Sequence, residues 1–164
     1  MKRLILMRHA KSDWSLGEED HTRPLNPRGK ASAVTLGNWL RDQKIEPDEV
    51  LCSSATRTRQ TLDGLNLDAK TRFEPSLYLA DPSVILDVLS SATGDTVLIL
   101  AHNPGIAMLA QGMVSHHHPH PRFADYPTGA TLVVDFECES WDKAEPGTGR
   151  AHSFVIPREL EDAR

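Results

Sequence analysis

The chain carries two histidines and two arginines at positions where they could handle a phosphoryl group. Arg8 and His9 directly follow one apolar run, His102 directly follows another, and Arg57 comes shortly after a third. A neutral imidazole nitrogen can attack phosphorus, and each guanidinium offers paired donors to two oxygens. Phosphoryl transfer depends largely on positioning and on cationic stabilisation of those oxygens. These residue types therefore predict a nucleophile among cations, with His9 as the nucleophile.

The three apolar runs read as buried strands, and the residues in between read as helices. The runs cover residues 4–7, 50–54 and 96–101. Amphipathic spacing predicts helices over four ranges: 29–43, 57–67, 83–89 and 104–114. Alternating strands and helices predict an α/β fold with a mostly parallel sheet. Ligands bind such sheets at the carboxyl ends of the strands, where the histidines and arginines stand.

The remaining segments are shorter strands and loops. Residues 71–74, 131–136 and 152–156 have strand character. The polar stretch 11–28 reads as a long loop, and loops of that length in compact domains are commonly functional. The charged tail from Pro157 is expected to fray.

Composition limits the class of protein. The 164 residues fit one domain, 1–164, that buries a core without disulfides. A net charge of −5, with no basic cluster, argues against nucleic acid as the main partner. It does not exclude a phosphate ligand, because a few converging arginines can dominate a local field. No segment has the length of a signal-peptide core or a membrane span, so we expect a cytoplasmic protein with no membrane partner.

Several motifs between residues 8 and 130 carry a family resemblance. They are Arg8-His9, Lys11-Ser12-Asp13-Trp14, Arg23-Pro24-Leu25-Asn26-Pro27-Arg28-Gly29, Ser53 with Arg57 and Gln60-Thr61, Ala101-His102-Asn103-Pro104-Gly105, and Pro127-Thr128-Gly129-Ala130. Together they resemble the histidine phosphatase superfamily, also called phosphoglycerate mutase-like, and within it the SixA-type phosphohistidine phosphatases. The resemblance implies a three-layer α/β/α, phosphoglycerate mutase-like fold.

The resemblance also implies a set of site residues. The catalytic set is His9, Arg8, Arg57 and His102, with His102 donating a hydrogen bond to a phosphate oxygen. The expected substrate-binding residues are Arg23, Asn103, Thr128 and Gly129. Two alternatives stay open. Arg23 could instead hold its loop through an ion pair with Asp20 or Glu19, and Thr128 and Gly129 could simply turn the chain into the next strand.

One departure from the family pattern bears on the substrate. Mutase-like members carry a glutamate, the general acid for the leaving oxygen, in a segment matching residues 77–80, which holds no carboxylate here. Asp13, Asp20 and Asp81 stay open as donors. Imidazole leaves a phosphoramidate with less acid assistance than an alkoxide needs. The gap therefore favours a substrate with a phosphorus–nitrogen bond.

The sequence thus predicts a metal-independent phosphatase without a cofactor, acting on phosphohistidine in a protein such as a histidine phosphotransfer domain. Three alternatives are a small-molecule phosphomonoesterase, a non-catalytic phosphate-binding module and, more weakly, a metallohydrolase using His9, His102 and the histidines near residue 116.

For His116, His117, His118 and His120 we expect a solvated loop rather than a native metal site, because nothing in this proline-containing segment indicates fixed ligand geometry.

Overall fold

A six-stranded sheet forms the centre of the molecule. A computed structural model describes residues 1–162. The spatial order of the strands is β3-β2-β4-β1-β5-β6. Their bounds are β1 Lys2–Arg8, β2 Glu49–Ser53, β3 Lys70–Glu74, β4 Thr96–Ala101, β5 Thr131–Phe136 and β6 Arg150–Val155.

The sheet is mixed but mostly parallel, as the strand and helix pattern predicts. Strands β3, β2, β4 and β1 pair in parallel. Strand β5 pairs antiparallel with both of its neighbours, so β6 runs in the same direction as β1. Strands β1, β2 and β4 therefore end at one edge, which brings the residues that follow them together.

Helices cover both faces of the sheet and give the α/β/α layering. Their bounds are α1 Pro27–Asp42, α2 Thr56–Leu65, α3 Pro82–Ser90, α4 Gly105–Met113 and α5 Pro157–Asp162. On one face, apolar side chains of α1 and α2 pack with alternate residues of β1, β2 and β4. On the other face, α3 and α4 pack on the intervening residues of β1 and β4. This alternation is what a strand buried on both faces requires.

Helix α1 begins two residues before the predicted start at Gly29. The side chain of Asn26 accepts a hydrogen bond from the Gly29 backbone N–H at 2.7 Å, which caps the first turn. Pro27 occupies the first helical position, where its missing N–H costs nothing. The Asn-Pro pair is thus a helix start rather than part of the loop.

The expectation that the tail frays from Pro157 is wrong for the described residues. Residues 157–162 form α5, which packs against α1. Leu160 adds to the apolar cluster between α1 and the sheet, and the carboxylate of Glu161 accepts a hydrogen bond from the Ser32 hydroxyl at 3.0 Å. The charged composition of this segment gave no indication of the apolar contact of Leu160 or of the hydrogen bond between Ser32 and Glu161. The last two residues of the tail, 163 and 164, lie outside the described residues.

Within residues 1–162, no helix combines the length and apolar character that crossing a membrane requires.

Candidate active site

A cavity of about 400 Å³ opens at the edge where β1, β2 and β4 end. Its lining includes seven of the eight residues expected from the sequence. These are Arg8, His9, Arg57, His102, Arg23, Asn103 and Thr128. The eighth, Gly129, lies behind the cavity wall. Its backbone N–H donates to the carbonyls of Arg8 and His9, at 3.1 and 2.9 Å.

The His9 ring is buried and held in one tautomer. Its Nδ1 lies 2.7 Å from the backbone carbonyl of Ala10. A carbonyl oxygen only accepts, so Nδ1 must carry the proton and Nε2 keeps a free electron pair. The Arg57 Nε–H donates to that Nε2 at 3.4 Å. Burial lowers the pKa of His9 to about 3. His9 is therefore a neutral imidazole whose nucleophilic nitrogen is already defined.

His102 is also buried, and one of its ring nitrogens lies beside a serine hydroxyl. Its Nε2 lies 2.8 Å from the hydroxyl oxygen of Ser53, which in turn accepts from the Ala55 N–H at 3.3 Å. When the Ser53 hydroxyl donates its own proton to His102 Nε2, the ring proton of His102 lies on Nδ1. Burial lowers the pKa of His102 to about 3 as well, and its ring centroid lies 5.3 Å from that of His9.

A loop carboxylate holds two of the arginines in place. Asp20 accepts from Arg57 Nη2 and from Arg23 Nη2, both at 3.0 Å, and its backbone carbonyl accepts from Arg57 Nη1 at 2.6 Å. The Tyr78 hydroxyl donates to the same carboxylate. The Tyr78 hydrogen bond, with those from Arg23 and Arg57, holds the pKa of Asp20 well below its ordinary value. Asp20 is thus ionised and orients both guanidinium groups.

Arg23 lies where it can contact a ligand in the cavity, and it also forms one of the ion pairs that the sequence left open. It lines the cavity, and it forms the ion pair with Asp20 that fixes the 11–28 loop. It also donates to the buried Ser12 hydroxyl, and its guanidinium carbon stacks 3.5 Å from the centre of the Trp14 ring. The long loop is therefore built around this arginine.

Unpaired polar atoms gather around the cavity. Among residues 1–162, four buried side-chain atoms lack a hydrogen-bond partner: Arg8 Nε, Arg23 Nε, His102 Nδ1 and Asn103 Oδ1. All four belong to residues that line this cavity, and the two arginine nitrogens among them are donors. Leaving a buried donor unpaired costs about 1–3 kcal/mol. Their grouping at one place fits a site built to receive an anion.

Two side chains that line the cavity donate hydrogen bonds to the same backbone carbonyl. Arg8 Nη1 donates to the Tyr126 carbonyl at 3.1 Å, and Asn103 Nδ2 donates to the same carbonyl at 3.0 Å. Gly129 has φ +77, and a Cβ there would lie 2.5 Å from Pro157 Cγ, so the turn before β5 requires glycine. Thr128 is held at the cavity rim by this turn.

Within residues 1–162, no carboxyl group in the cavity lining is suited to protonate a leaving group. Among residues 1–162, Asp20 is the one carboxylate in its lining, and its proton is lost far below neutral pH. Asp13 and Asp81, also considered from the sequence, do not line the cavity. Leu79, from the segment where mutase-like members carry glutamate, lines it instead.

Comparison with known proteins identifies the family. Residues 4–78 match the family model described as the histidine phosphatase superfamily, branch 1. The Escherichia coli phosphohistidine phosphatase SixA is 30% identical over 169 residues that cover 98% of each protein. This chain belongs to the histidine phosphatase superfamily.

Two other proteins are similar over nearly the whole chain. An uncharacterised Mycobacterium tuberculosis protein is 37% identical over 160 residues, covering 93% of this chain and 100% of that protein. A structure assigned as the phosphohistidine phosphatase SixA of Nakamurella multipartitia superposes with a TM-score of 0.85 at 28% identity, covering 95% of this chain and 96% of the other. The α/β fold and its phosphoglycerate mutase-like topology are thereby confirmed.

Two contributors to this superfamily site were not assigned a role from the sequence. Ser53 was part of a motif, but its bond to His102 depends on β2 lying beside β4 in the sheet. Tyr78 follows a short 3-10 helix and reaches Asp20 across 58 residues of sequence. Nothing in the local pattern around Tyr78 signals that contact.

The histidine-rich loop lies apart from the catalytic cavity of this superfamily member. His120 pairs with Glu159 at 2.9 Å, and its ring centroid packs 4.9 Å from that of Phe154. His118 packs on Phe123 and Phe154. A fully solvated loop is therefore the wrong description for these two half-buried histidines. Within residues 1–162, no three metal-binding side chains lie close enough to hold an ion.

Proposed function

We propose that this chain is a phosphatase that takes a phosphoryl group onto His9 Nε2 and passes it to water, with phosphohistidine in a protein as its substrate. The observation that supports this most directly is the state of His9. Its Nε2 carries a free electron pair at neutral pH and lies within a cavity lined by Arg8, Arg57 and His102.

In the first step, His9 Nε2 forms a bond to phosphorus while the bond from phosphorus to the substrate nitrogen breaks. The leaving nitrogen keeps the bonding electron pair and departs as neutral imidazole when its second ring nitrogen carries a proton. The His9 ring becomes positively charged, and the hydrogen bond from its Nδ1–H to the Ala10 carbonyl supports that charge. Donors from Arg8, Arg57 and His102 Nδ1 stabilise the phosphoryl oxygens.

In the second step, water attacks the phosphorus of phospho-His9. The bond from phosphorus to Nε2 breaks, Nε2 recovers its electron pair, and dihydrogen phosphate leaves with both protons of the water. The phosphorylated ring is a good leaving group because Nδ1 is already protonated. His9 returns to its initial tautomer without a separate proton donor.

The leaving-group chemistry favours phosphorus–nitrogen substrates. An alkoxide leaving group needs a proton, and a positioned acid typically contributes ~10²–10⁴-fold to its departure. Asp20 is ionised, and Leu79 stands in the segment where related mutases carry the acid. Imidazole needs no such help, so phosphohistidine is the substrate class that this cavity serves.

A substrate panel tests this proposal. We expect phosphoramidate and a phosphohistidine-containing protein to be hydrolysed at least 100-fold faster than 3-phosphoglycerate, because that alkyl phosphate lacks its acid. Asp20→Asn should lower kcat on phosphoramidate less than 10-fold, since an ionised aspartate supplies no proton. EDTA should leave the rate unchanged, because arginines supply the positive charge.

Two outcomes of the panel would contradict the proposal. Fast hydrolysis of 3-phosphoglycerate that Asp20→Asn abolishes would assign Asp20 as the acid and favour a small-molecule phosphomonoesterase. Loss of activity in EDTA that zinc restores would favour the metallohydrolase.

A further inference from the structure

A second cavity, of about 300 Å³, lies beside the catalytic cavity and shares a wall with it. Lys11 and Thr128 line both. The second cavity lies between the start of α1, the loop before β5 and the start of α5. We call it the basic groove, after its charged lining residues Lys11, Arg28, Arg122, Arg158 and Glu161.

Not all positively charged side chains of the basic groove form close ion pairs with carboxylates. Arg122 is paired with Asp125 at 2.8 Å and adds little charge. Arg28 and Arg158 each come no nearer than 4.0 Å to a carboxylate, from Glu161 and Asp162 respectively. Among residues 1–162, Lys11 forms no ion pair at all, and Glu161 is the one carboxylate of the lining. Lys11, Arg28 and Arg158 are therefore three exposed cations near two carboxylates, Glu161 and Asp162, and Ser32 already donates a hydrogen bond to Glu161.

This local charge opposes that of the whole molecule. The chain carries a net charge of −5, yet the groove that borders the catalytic cavity is positive. A positive patch on an acidic protein attracts acidic surfaces to that place and repels them elsewhere. The patch is thus placed to orient an acidic partner so that its phosphoryl group meets His9.

The exposure of these cations indicates a protein partner rather than a small molecule. The side chains of Arg28 and Arg158 are 65% and 76% exposed. Small-molecule sites enclose most of their ligand and place their charged groups inside the pocket. Exposed arginines act mainly on the rate and orientation of association between proteins.

We propose that the basic groove docks an acidic segment of the phosphoprotein substrate, beside the phosphohistidine held in the catalytic cavity. This inference rests on the proposed function, because it assigns the surroundings of the phosphohistidine that His9 attacks. It concerns recognition alone and adds no chemical step.

Two peptides and one paired variant test the docking surface. The peptides carry the same phosphohistidine, one flanked by glutamates and aspartates and the other by serines. At low salt, we expect the wild type to hydrolyse the acidic peptide with about 10-fold higher kcat/KM. The double variant Arg28→Glu, Arg158→Glu should lose that preference, and about 0.5 M NaCl should remove it from the wild type because exposed charges are screened. Lys30→Glu, Lys70→Glu is the matched control, reversing two exposed lysines outside the groove.

Phosphoramidate separates failure of the groove from failure of the proposed function. The groove variant should hydrolyse phosphoramidate at the wild-type rate, because neither arginine lines the catalytic cavity. Equal cleavage of both peptides by the wild type would overturn the docking proposal and leave the phosphatase intact. Equal losses on phosphoramidate and on the acidic peptide would overturn it too, by showing an effect on the catalytic cavity. A wild type inactive on phosphoramidate and both peptides would instead refute the proposed function.

Discussion

Ser53 and His102 form a buried hydrogen-bonded pair that leaves one histidine nitrogen available to a ligand. The Ser53 hydroxyl oxygen lies 2.8 Å from Nε2, and Nδ1 has no protein partner within residues 1–162. Arg57 and Ala10 fix the His9 ring in the same manner. The two histidine rings at the cavity are thus oriented by hydrogen bonds from neighbouring side chains and backbone.

Removing the Ser53 hydroxyl should impair catalysis without unfolding the protein. We expect Ser53→Ala to lower kcat on phosphoramidate about 10-fold or more, because His102 loses the partner that orients its ring and a buried nitrogen left unpaired costs about 1–3 kcal/mol. Thr58→Val is the matched control, since it removes another buried hydroxyl, one that donates to the backbone carbonyls of Ser53 and Ala55 rather than bonding to His102. Similar kcat values for the two variants would show that Ser53 has no role in positioning His102.

The two buried histidines should make the protein less stable in mild acid. An unfolded histidine has a pKa near 6.5, whereas burial holds the pKa of both His9 and His102 at about 3. Below pH 6.5 the unfolded chain binds more protons, so the free energy of unfolding falls as pH drops toward 3. Each histidine contributes at most about 1.4 kcal/mol per pH unit.

Denaturant unfolding of wild type and His102→Asn between pH 7.5 and 4.5 measures this contribution. The variant should show a shallower loss of stability, because it lacks one of the two groups that must bind a proton on unfolding. Identical slopes would mean that His102 titrates normally in the folded protein.

The residues of the site were largely predictable from the sequence, whereas their hydrogen-bond partners were not. Arg8 and His9 are adjacent in the chain, and His102 follows a strand directly, so local pattern and family resemblance find them. The contacts of Ser53 with His102 and of Tyr78 with Asp20 join segments 49 and 58 residues apart. Such contacts depend on strand order and loop path, which no local pattern encodes.

Among the helices, the first turn of α4 packs closely on the segment that contains Ala80, and this contact positions the residues that follow His102. A Cβ on Gly105 would lie 1.9 Å from the Ala80 carbonyl oxygen, so this helix start packs directly on backbone. Gly112, in the same helix, has no atom within 4 Å of that position. Comparing substitutions at these two glycines therefore distinguishes the effect of close packing on stability from the effect of helix propensity.

Alanine substitution of these glycines should have opposite effects on stability. We expect Gly105→Ala to destabilise the fold by about 1–3 kcal/mol, because the methyl group forces apart α4 and the residue 80 segment. Gly112→Ala should stabilise the fold by about 0.5–1 kcal/mol, the gain in helix propensity. Chemical denaturation of both variants measures the difference. Equal effects would show that the close approach at Gly105 does not exist.

The core elements were easier to predict than the chain end. Strands β1, β2 and β4 are buried on both faces and therefore appear as continuous apolar runs. Helix α5 was missed because it has six residues and a charged composition, and one leucine anchors it to α1 and the sheet. The stability of α5 comes from that tertiary contact, which local propensity does not report.

The fold gives a protein of net negative charge a positively charged cavity. A chain with net charge −5 gathers Arg8, Arg23 and Arg57 from three separate segments at one edge of the sheet. Asp20 offsets part of that charge and leaves the cavity positive when both histidines are neutral. Composition alone would not have suggested a cluster of cations, whereas the topology brings these three arginines together.

Detection of a phosphoryl group on His9 would establish this histidine as the nucleophile. Wild type and His9→Ala should each be mixed with phosphoramidate, quenched within milliseconds in alkali and analysed by peptide mass spectrometry. We expect an alkali-stable, acid-labile phosphoryl group on Nε2 of His9 in the wild type. The folded His9→Ala variant should carry no adduct and show no turnover. An adduct that persists in His9→Ala, or undiminished turnover by that variant, would contradict the account.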